Sequence, residues 1–510
     1  MSLNQKNKGF VLAGLLLSIL MASMDNTIVA TAMGTIVGEL GGLDKFVWVT
    51  SAYMVAEMAG MPIFGKLSDM YGRKRFFIFG AVMFMLGSIL CGTAQSIEQL
   101  SIYRAIQGIG AGALVPIAFT IMFDVVPPAE RGKLGGLFGA VFGMSSIFGP
   151  LLGAYITDYI AWEWIFYINL PLGLIAFFLI AFFYRESLEH AKQRIDWLGA
   201  ATLVGAIVCL MFALELGGKE FAWDSGPILG LFAGFAALAV LFLAVERRAE
   251  EPIISFAMFR SRLYASSNVI AILSGAAFIV ASVYIPIFIQ GVLGGKATNS
   301  GLVLLPMMVG SVVTATGGGI LLGRLRYRTI MIPTLGLLVA GLALLTTITP
   351  DTSKFAITVY MILVGLGIGA SFSVLSNAAI HSFSARQRGA ASSTLNFLRS
   401  LGMTLGITVF GILQSNSLTN RLSGAFAGSG GAPQGIDLTD PRGLMQPEVR
   451  AKIPPDILDT ITSNLSSSIV YTFAWSLIPA VLALFAAFAM SREKLDPAAQ
   501  QDAEGFAASH

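Results

Sequence analysis

Gly65-Lys66-Leu67-Ser68-Asp69-Met70-Tyr71-Gly72-Arg73-Lys74-Arg75 separates two strongly apolar runs, 46–65 and 76–94. A helix that crosses a lipid hydrocarbon layer needs about 20 mostly apolar residues. The stretch therefore reads as a tight basic turn between two spanning helices. Its glycines allow the turn and close helix packing. Asp69 beside Arg73, Lys74 and Arg75 offers an ion-pair latch.

The rest of the chain repeats this plan. Further apolar runs lie at 10–31, 99–122, 132–156, 164–184, 197–217, 226–245, 264–290, 298–322, 329–349, 355–380, 389–413 and 468–490, giving fourteen in all. Composition agrees, since only 12% of the 510 residues are charged and 55% are hydrophobic, whereas a soluble domain carries about 25% charged residues. The expected class is an all-α membrane protein with 14 transmembrane helices. The first run ends in no small-residue cleavage pattern, so it reads as a retained helix and not as a signal peptide. Cys91 and Cys209 both lie in apolar runs and suggest neither disulfide nor metal cluster. His190, His381 and His510 are scattered, so no metal site is expected.

Basic residues orient the chain. With the N-terminus in the cytoplasm, 22 of the 32 Lys and Arg fall in inner segments, among them Arg73, Arg131, Arg260, Arg262 and Arg388, against 8 in outer ones. Cytoplasmic loops carry this excess, so both termini are expected inside. The remaining two, Arg104 and Arg399, fall inside the membrane. An internal repeat appears at an offset of 257: Arg131-Gly132 precedes Gly149 as Arg388-Gly389 precedes Gly406. Two six-helix halves follow, 1–190 and 251–490, with an extra helix pair at 191–250 between them and a tail at 491–510. Residues 414–467 read as a polar outer loop, in which 456–466 form a short surface helix. Residues 252–263 read as a segment lying along the inner membrane surface.

The 65–75 stretch closely matches the G-x-L-a-D-r-x-G-r-[KR]-[KR] loop of the major facilitator superfamily, which the chain resembles over roughly residues 10–490. Arg104-Ala-Ile-Gln107-Gly108 resembles the superfamily's R-x-x-q-G motif. Gly139-x-x-x-Gly143, leading to Gly149-Pro150-Leu-Leu-Gly153, resembles the helix-five motif of its antiporters. Met24-Asp25-Asn26-Thr27-Ile28-Val29 and Trp162-Glu163-Trp164 through Asn169-Leu-Pro171 resemble signatures of the fourteen-helix drug:proton antiporters, although Glu163 stands where that family usually has Arg. The resemblance implies a major facilitator fold and export of small amphipathic, possibly cationic, compounds across the cell membrane in exchange for protons. An importer, or a specific metabolite or siderophore exporter, is the alternative within the superfamily.

Ionised side chains inside a membrane are costly and mark function by default. Helix rise places Asp25 roughly 22–24 Å above the inner end of the first run. Arg104 then lies about 8 Å below the outer end of the fourth, at similar depth. A carboxylate facing an arginine there makes a proton switch, unless Arg104 snorkels to the outer interface. Glu57, with Tyr53 one turn away, takes a second proton, attracts a cation or is satisfied by a neighbouring hydroxyl. Gln107, Asn396 and Arg399 complete the expected cavity, Arg399 reading equally as an anchor between helices. Asp124, at an inner helix end, needs a cationic partner, with Arg73 and Arg131 the candidates. No nucleotide-binding P-loop and no nucleophile–base pair stand out, so no enzyme is expected. No cofactor and no nucleic acid are expected either; protons are the coupling ion, the lipid bilayer and small molecules are the partners, and the working unit is a monomer.

Overall fold

A computed structural model describes residues 5–40, 47–127, 130–186, 196–218, 220–294, 297–426 and 453–494. These residues form α-helices and short 3-10 or π turns. In chain order the helices are α1 (Gln5–Leu40), α2 (Val47–Tyr71), α3 (Arg73–Gly92), α4 (Ile97–Val125), α5 (Arg131–Tyr159), α6 (Trp164–Tyr167), α7 (Asn169–Phe183), α8 (Trp197–Leu216) and α9 (Gly226–Glu246). They continue with α10 (Arg262–Ile287), α11 (Ala297–Leu321), α12 (Tyr327–Leu345), α13 (Lys354–Ile380), α14 (Arg388–Phe426) and α15 (Pro455–Ala489).

Among the described residues, 12 helical segments are long and apolar enough to cross a membrane, with α6 and α7 forming one such segment. The two remaining long helices are α2, with 25 residues, and α5, with 29. The repeat offset reappears in the helix starts: Gln5 and Arg262, Ile97 and Lys354, and Arg131 and Arg388 are each 257 residues apart. Helix α2 packs on α4 and α14, while α5 packs on α1 and α11. These contacts put α2 and α5 between the helices before residue 190 and those after 262. Large apolar side chains such as Phe182, Leu229 and Phe355 are exposed on the perimeter, as a lipid solvent allows.

The polar stretch 414–467 differs from its reading as a single outer loop. Helix α14 continues to Phe426 and α15 begins at Pro455. Gln414, Leu418, Leu422 and Phe426 are buried at every fourth position, as are Ile461, Leu465 and Ile469. This spacing keeps one face of each helix against its neighbours, and Gln414 Nε2 donates to Ser468 Oγ at 3.1 Å. The segment 456–466 is therefore the opening of α15 and not a separate helix. Residues 427–452 and the tail from 495 lie outside the described residues. At 39 and 35 residues, α14 and α15 are about 58 and 52 Å long at 1.5 Å per residue.

Residues 491–494 are tied to the chain. Arg326 pairs with Lys494 in an isolated antiparallel bridge. Tyr327 Oη and His381 Nδ1 are 3.1 Å apart, and His381 Nε2 lies 3.5 Å from Glu493 Oε2. Burial pushes the His381 imidazole below its ordinary value, with Glu493 pulling the other way.

Candidate functional site

Helices α1, α2, α3, α4 and α7 surround a polar cluster that is sealed from solvent. Asp25 and Arg104 are both fully buried and form an ion pair through Oδ2 and Nη1. Gln107, one turn after Arg104, accepts from Arg104 Nη1 at 2.6 Å through its Oε1. Its Nε2 donates to Asp25 Oδ1 and to Ser88 Oγ, each at 2.8 Å. Asn169 Nδ2 donates to the same Asp25 oxygen at 2.9 Å and to Ser88 Oγ at 3.3 Å. Both carboxylate oxygens thus accept from fixed donors. Arg104 Nε donates to the Val49 carbonyl at 3.3 Å, and its guanidinium carbon lies 4.1 Å from the centre of the Tyr53 ring. A cation over an aromatic face in a dry site gains about 2 kcal/mol. Snorkelling of Arg104 to an interface is excluded by this geometry.

Depth estimates from the sequence anticipated the meeting of Asp25 and Arg104, but Ser88 and the role of Asn169 were missed. Asn169 had a signal, since it sits in the Trp162–Gly173 signature; a lone serine in an apolar run has none. Tyr53 donates weakly to the Ala22 carbonyl at 3.4 Å. Asp25, Tyr53 and Gln107 are fully buried, so in this conformation they line no open cavity. Glu57 is half-buried, and the Asn26 side chain hydrogen-bonds to it. The next residue, Met58, receives the Thr404 hydroxyl of α14 at 3.6 Å from its sulfur. Glu57 therefore lies beside the seam between α2 and α14.

On α14, Arg399 donates to Asn396 Oδ1 at 3.2 Å and to the Ser371 carbonyl of α13 at 3.1 Å, and lies 5.0 Å from the Phe372 ring centre. These contacts tie α14 to α13. Asn396 returns its amide to the Ser392 carbonyl at 3.0 Å, which satisfies it within its own helix.

The second constellation is the 65–75 turn. Gly72 joins α2 to α3 at φ 116° and ψ 126°, a region that side chains with a Cβ rarely enter. This bend puts Arg73 at the first position of α3 with its side chain fully buried. Arg73 Nη2 lies 3.0 Å from Asp69 Oδ1, and its Nη1 pairs with Asp124 Oδ2 at the end of α4. Asp69 also accepts from Gly389 N at 3.0 Å and Ala390 N at 2.8 Å. Its carboxylate thus caps the N-terminus of α14, where free amides and the helix dipole favour an anion. Asp124 is also reached by Arg388 Nη1 at 3.7 Å. The expected Asp69–Arg73–Asp124 network is present and extends across to α14. The extension was missed because a backbone cap leaves no trace in side-chain chemistry. An added Cβ at Gly389 would fall on the Asp69 carboxylate, and one at Gly65 on the Ser393 side chain. The side chains of Arg131 and Gly143 lie outside the described residues.

The helix-five motif packs against the Asp25 segment. An added Cβ at Gly149 would meet the Thr27 hydroxyl, and one at Gly153 the Ile28 carbonyl at 2.9 Å. Thr27 Oγ1 donates to the Ser145 carbonyl at 3.0 Å. The proline at 150 removes a backbone donor within α5. Helix α5 is therefore in close contact with α1 at Thr27, two residues beyond Asp25.

Residues 15–407 match the Major Facilitator Superfamily. The chain belongs to the major facilitator superfamily. It is 54% identical to Multidrug resistance protein 3 of Bacillus subtilis (strain 168), covering 97% of this chain and 98% of that protein. It is 36% identical to the Multidrug transporter protein MdtP of the same strain, over 94% of this chain and 90% of MdtP. Among solved structures, the human organic anion transporter MFSD10 overlays with a TM-score of 0.59 at 14% identity, covering 93% of this chain and 99% of that one. The proton:xylose symporter XylE gives the same TM-score at 13% identity, covering 94% and 95%. At such low identity the overlays establish the fold: an all-helical major facilitator fold in a multi-pass membrane protein. The chain is a transporter and not an enzyme.

Proposed function

We propose that this transporter exports small amphipathic compounds, including cationic ones, across the plasma membrane in exchange for protons. One observation carries the reading. A fully buried carboxylate–guanidinium pair, Asp25 with Arg104, is held by the neutral side chains of Gln107 and Asn169, in a chain 54% identical to a multidrug resistance protein. Protonation of Asp25 removes the charge that holds Arg104 and Asn169, which loosens α1 against α4 and α7. The shift reaches α5 through Thr27 and Ser145. Glu57, beside the α2–α14 seam, attracts the cationic part of a substrate.

The proposed architecture has fourteen spans, with α2 and α5 crossing beside the twelve other segments. Residues 1–190 and 251–490 act as two halves, with α8 and α9 inserted between them. Both termini and the 65–75 latch face the cytoplasm, and the latch holds the inner side shut while the outer side opens. The working unit is a monomer. Protein in liposomes with an imposed proton gradient tests the function: ethidium should move against its own gradient and release protons as it binds. Ethidium movement that ignores the proton gradient overturns the coupling. A growth-inhibition panel in an exporter-deficient host then defines the substrate range.

A further inference from the structure

The extra helix pair is not a loose insert. Helix α8 runs antiparallel along α2, and the α8–α9 insert contacts α2 at three depths. Near the latch end, Lys66 Nζ of α2 lies 2.5 Å from Glu251 Oε2, just after α9. In the middle, Met58 and Met61 of α2 share an apolar cluster with Leu203 and Ile207 of α8. At the opposite end, the rings of Trp48 and Phe212 meet edge to face at 4.7 Å. The segment after α9 is drawn back the same way, since Ile253 N donates to the buried Glu246 carboxylate at 3.1 Å. Past this point the allegiance changes: Arg262 Nε donates to the Ala489 carbonyl of α15 at 2.6 Å, and the 3-10 turn Phe256–Arg260 packs on α10. Phe397 of α14 joins the same cluster as Met58 and Ile253, so the pair meets the α2–α14 seam.

We propose that α8 and α9 move as one body with the first half, covering the lipid side of the α2–α14 seam, and that the hinge between the halves is Ser255–Ser261. Three contacts spread over the thickness of a membrane, two through α8 and one through Glu251, resist both sliding and tilting of the insert on α2. The chain between Ile254 and Arg262 is the only described stretch left to absorb the relative rotation of the halves. A motion of this kind needs only a few backbone torsions in a short irregular segment.

The test uses the full-length protein after replacement of Cys91 and Cys209. Spin labels go on exposed positions near the ends opposite the latch: Gln95→Cys in the first half, Asp224→Cys between α8 and α9, and Asp351→Cys in the second half. Distances are measured in lipid nanodiscs at high and low pH, with and without ethidium. The 95–224 distance should stay constant while 95–351 and 224–351 change together. A changing 95–224 distance, or a fixed 224–351 distance while 95–351 changes, overturns the proposal. A Trp48→Cys/Phe212→Cys disulfide gives a second readout. Proton-driven dye transport should persist with the bond formed, and arrest on oxidation that reverses on reduction would show that α8 must leave α2. A wild type that moves no dye would refute the export reading, yet leave the distance measurements to judge this one.

Discussion

Asp25→Asn isolates the electrostatics of the buried pair. The variant leaves Arg104, fully buried, without a counter-charge. It also places an amide among the Gln107 and Asn169 amides, which both donate to Asp25, so at least one donor loses its acceptor. Removing one partner of a buried ion pair destabilises by about 3–5 kcal/mol. Arg104→Gln is expected in the same range, because Asp25 would then be buried with neutral partners alone. The double variant Asp25→Asn/Arg104→Gln removes both charges and replaces the pair by an amide network. It should recover about 1–3 kcal/mol relative to the sum of the singles. Reversible unfolding in mixed micelles measures all four proteins, and proton release on ethidium binding is followed beside it. Coupling should be absent from every variant lacking Asp25, including the double. Strict additivity would refute the idea that the two charges act as one unit. Proton release by Asp25→Asn at the wild-type level, with loss in Glu57→Gln, would move the proton carrier to α2.

Other consequences follow from the latch and the tail. Gly389→Ala should push α14 away from Asp69 and raise labelling of a cysteine placed at Ser393, measured with a water-soluble maleimide in inverted vesicles; unchanged labelling would mean that the contact does not hold this end shut. Asp69→Asn should slow the transport cycle at least several-fold with little change in dye affinity, as read from turnover and equilibrium binding. Since burial lowers the His381 pKa, protonation is disfavoured in the folded state, so this contact is fully stable above the ordinary histidine range and weakens as pH falls through about 6.5. Protection of the 327–331 and 491–494 amides, taken relative to their intrinsic exchange rates at each pH, should therefore fall below that pH, and His381→Gln should flatten the dependence. Asp351→Cys should react with an impermeant reagent on intact cells, and protection there would invert the proposed orientation.

The helical class was legible because lipid imposes long apolar runs, and few other constraints read so directly from composition. The meeting of Asp25 and Arg104 was legible because both are isolated charges whose depth follows from helix rise. Charges whose partners are backbone amides were not: the capping of α14 by Asp69 depends on Gly389 and Ala390, which carry no polar side chain. The ends of α14 and α15 were also obscured. Gln414, Ser468 and Arg421 lower the apolar content without breaking the fourfold burial pattern, so a count of hydropathy ended the helices too early. Arg399 needed coordinates because its acceptor is a carbonyl of another helix.

The length of α14 and α15 has a practical side. A hydrocarbon layer is about 30 Å thick, yet the two helices extend about 58 and 52 Å and are cross-braced by Gln414 and Ser468. Together they make a stiff post standing clear of the bilayer, opposite the latch. A small rigid domain grafted onto that post through an unbroken helix would keep a fixed bearing to the transport core. It would give electron microscopy an asymmetric landmark on a protein otherwise hidden in its detergent belt.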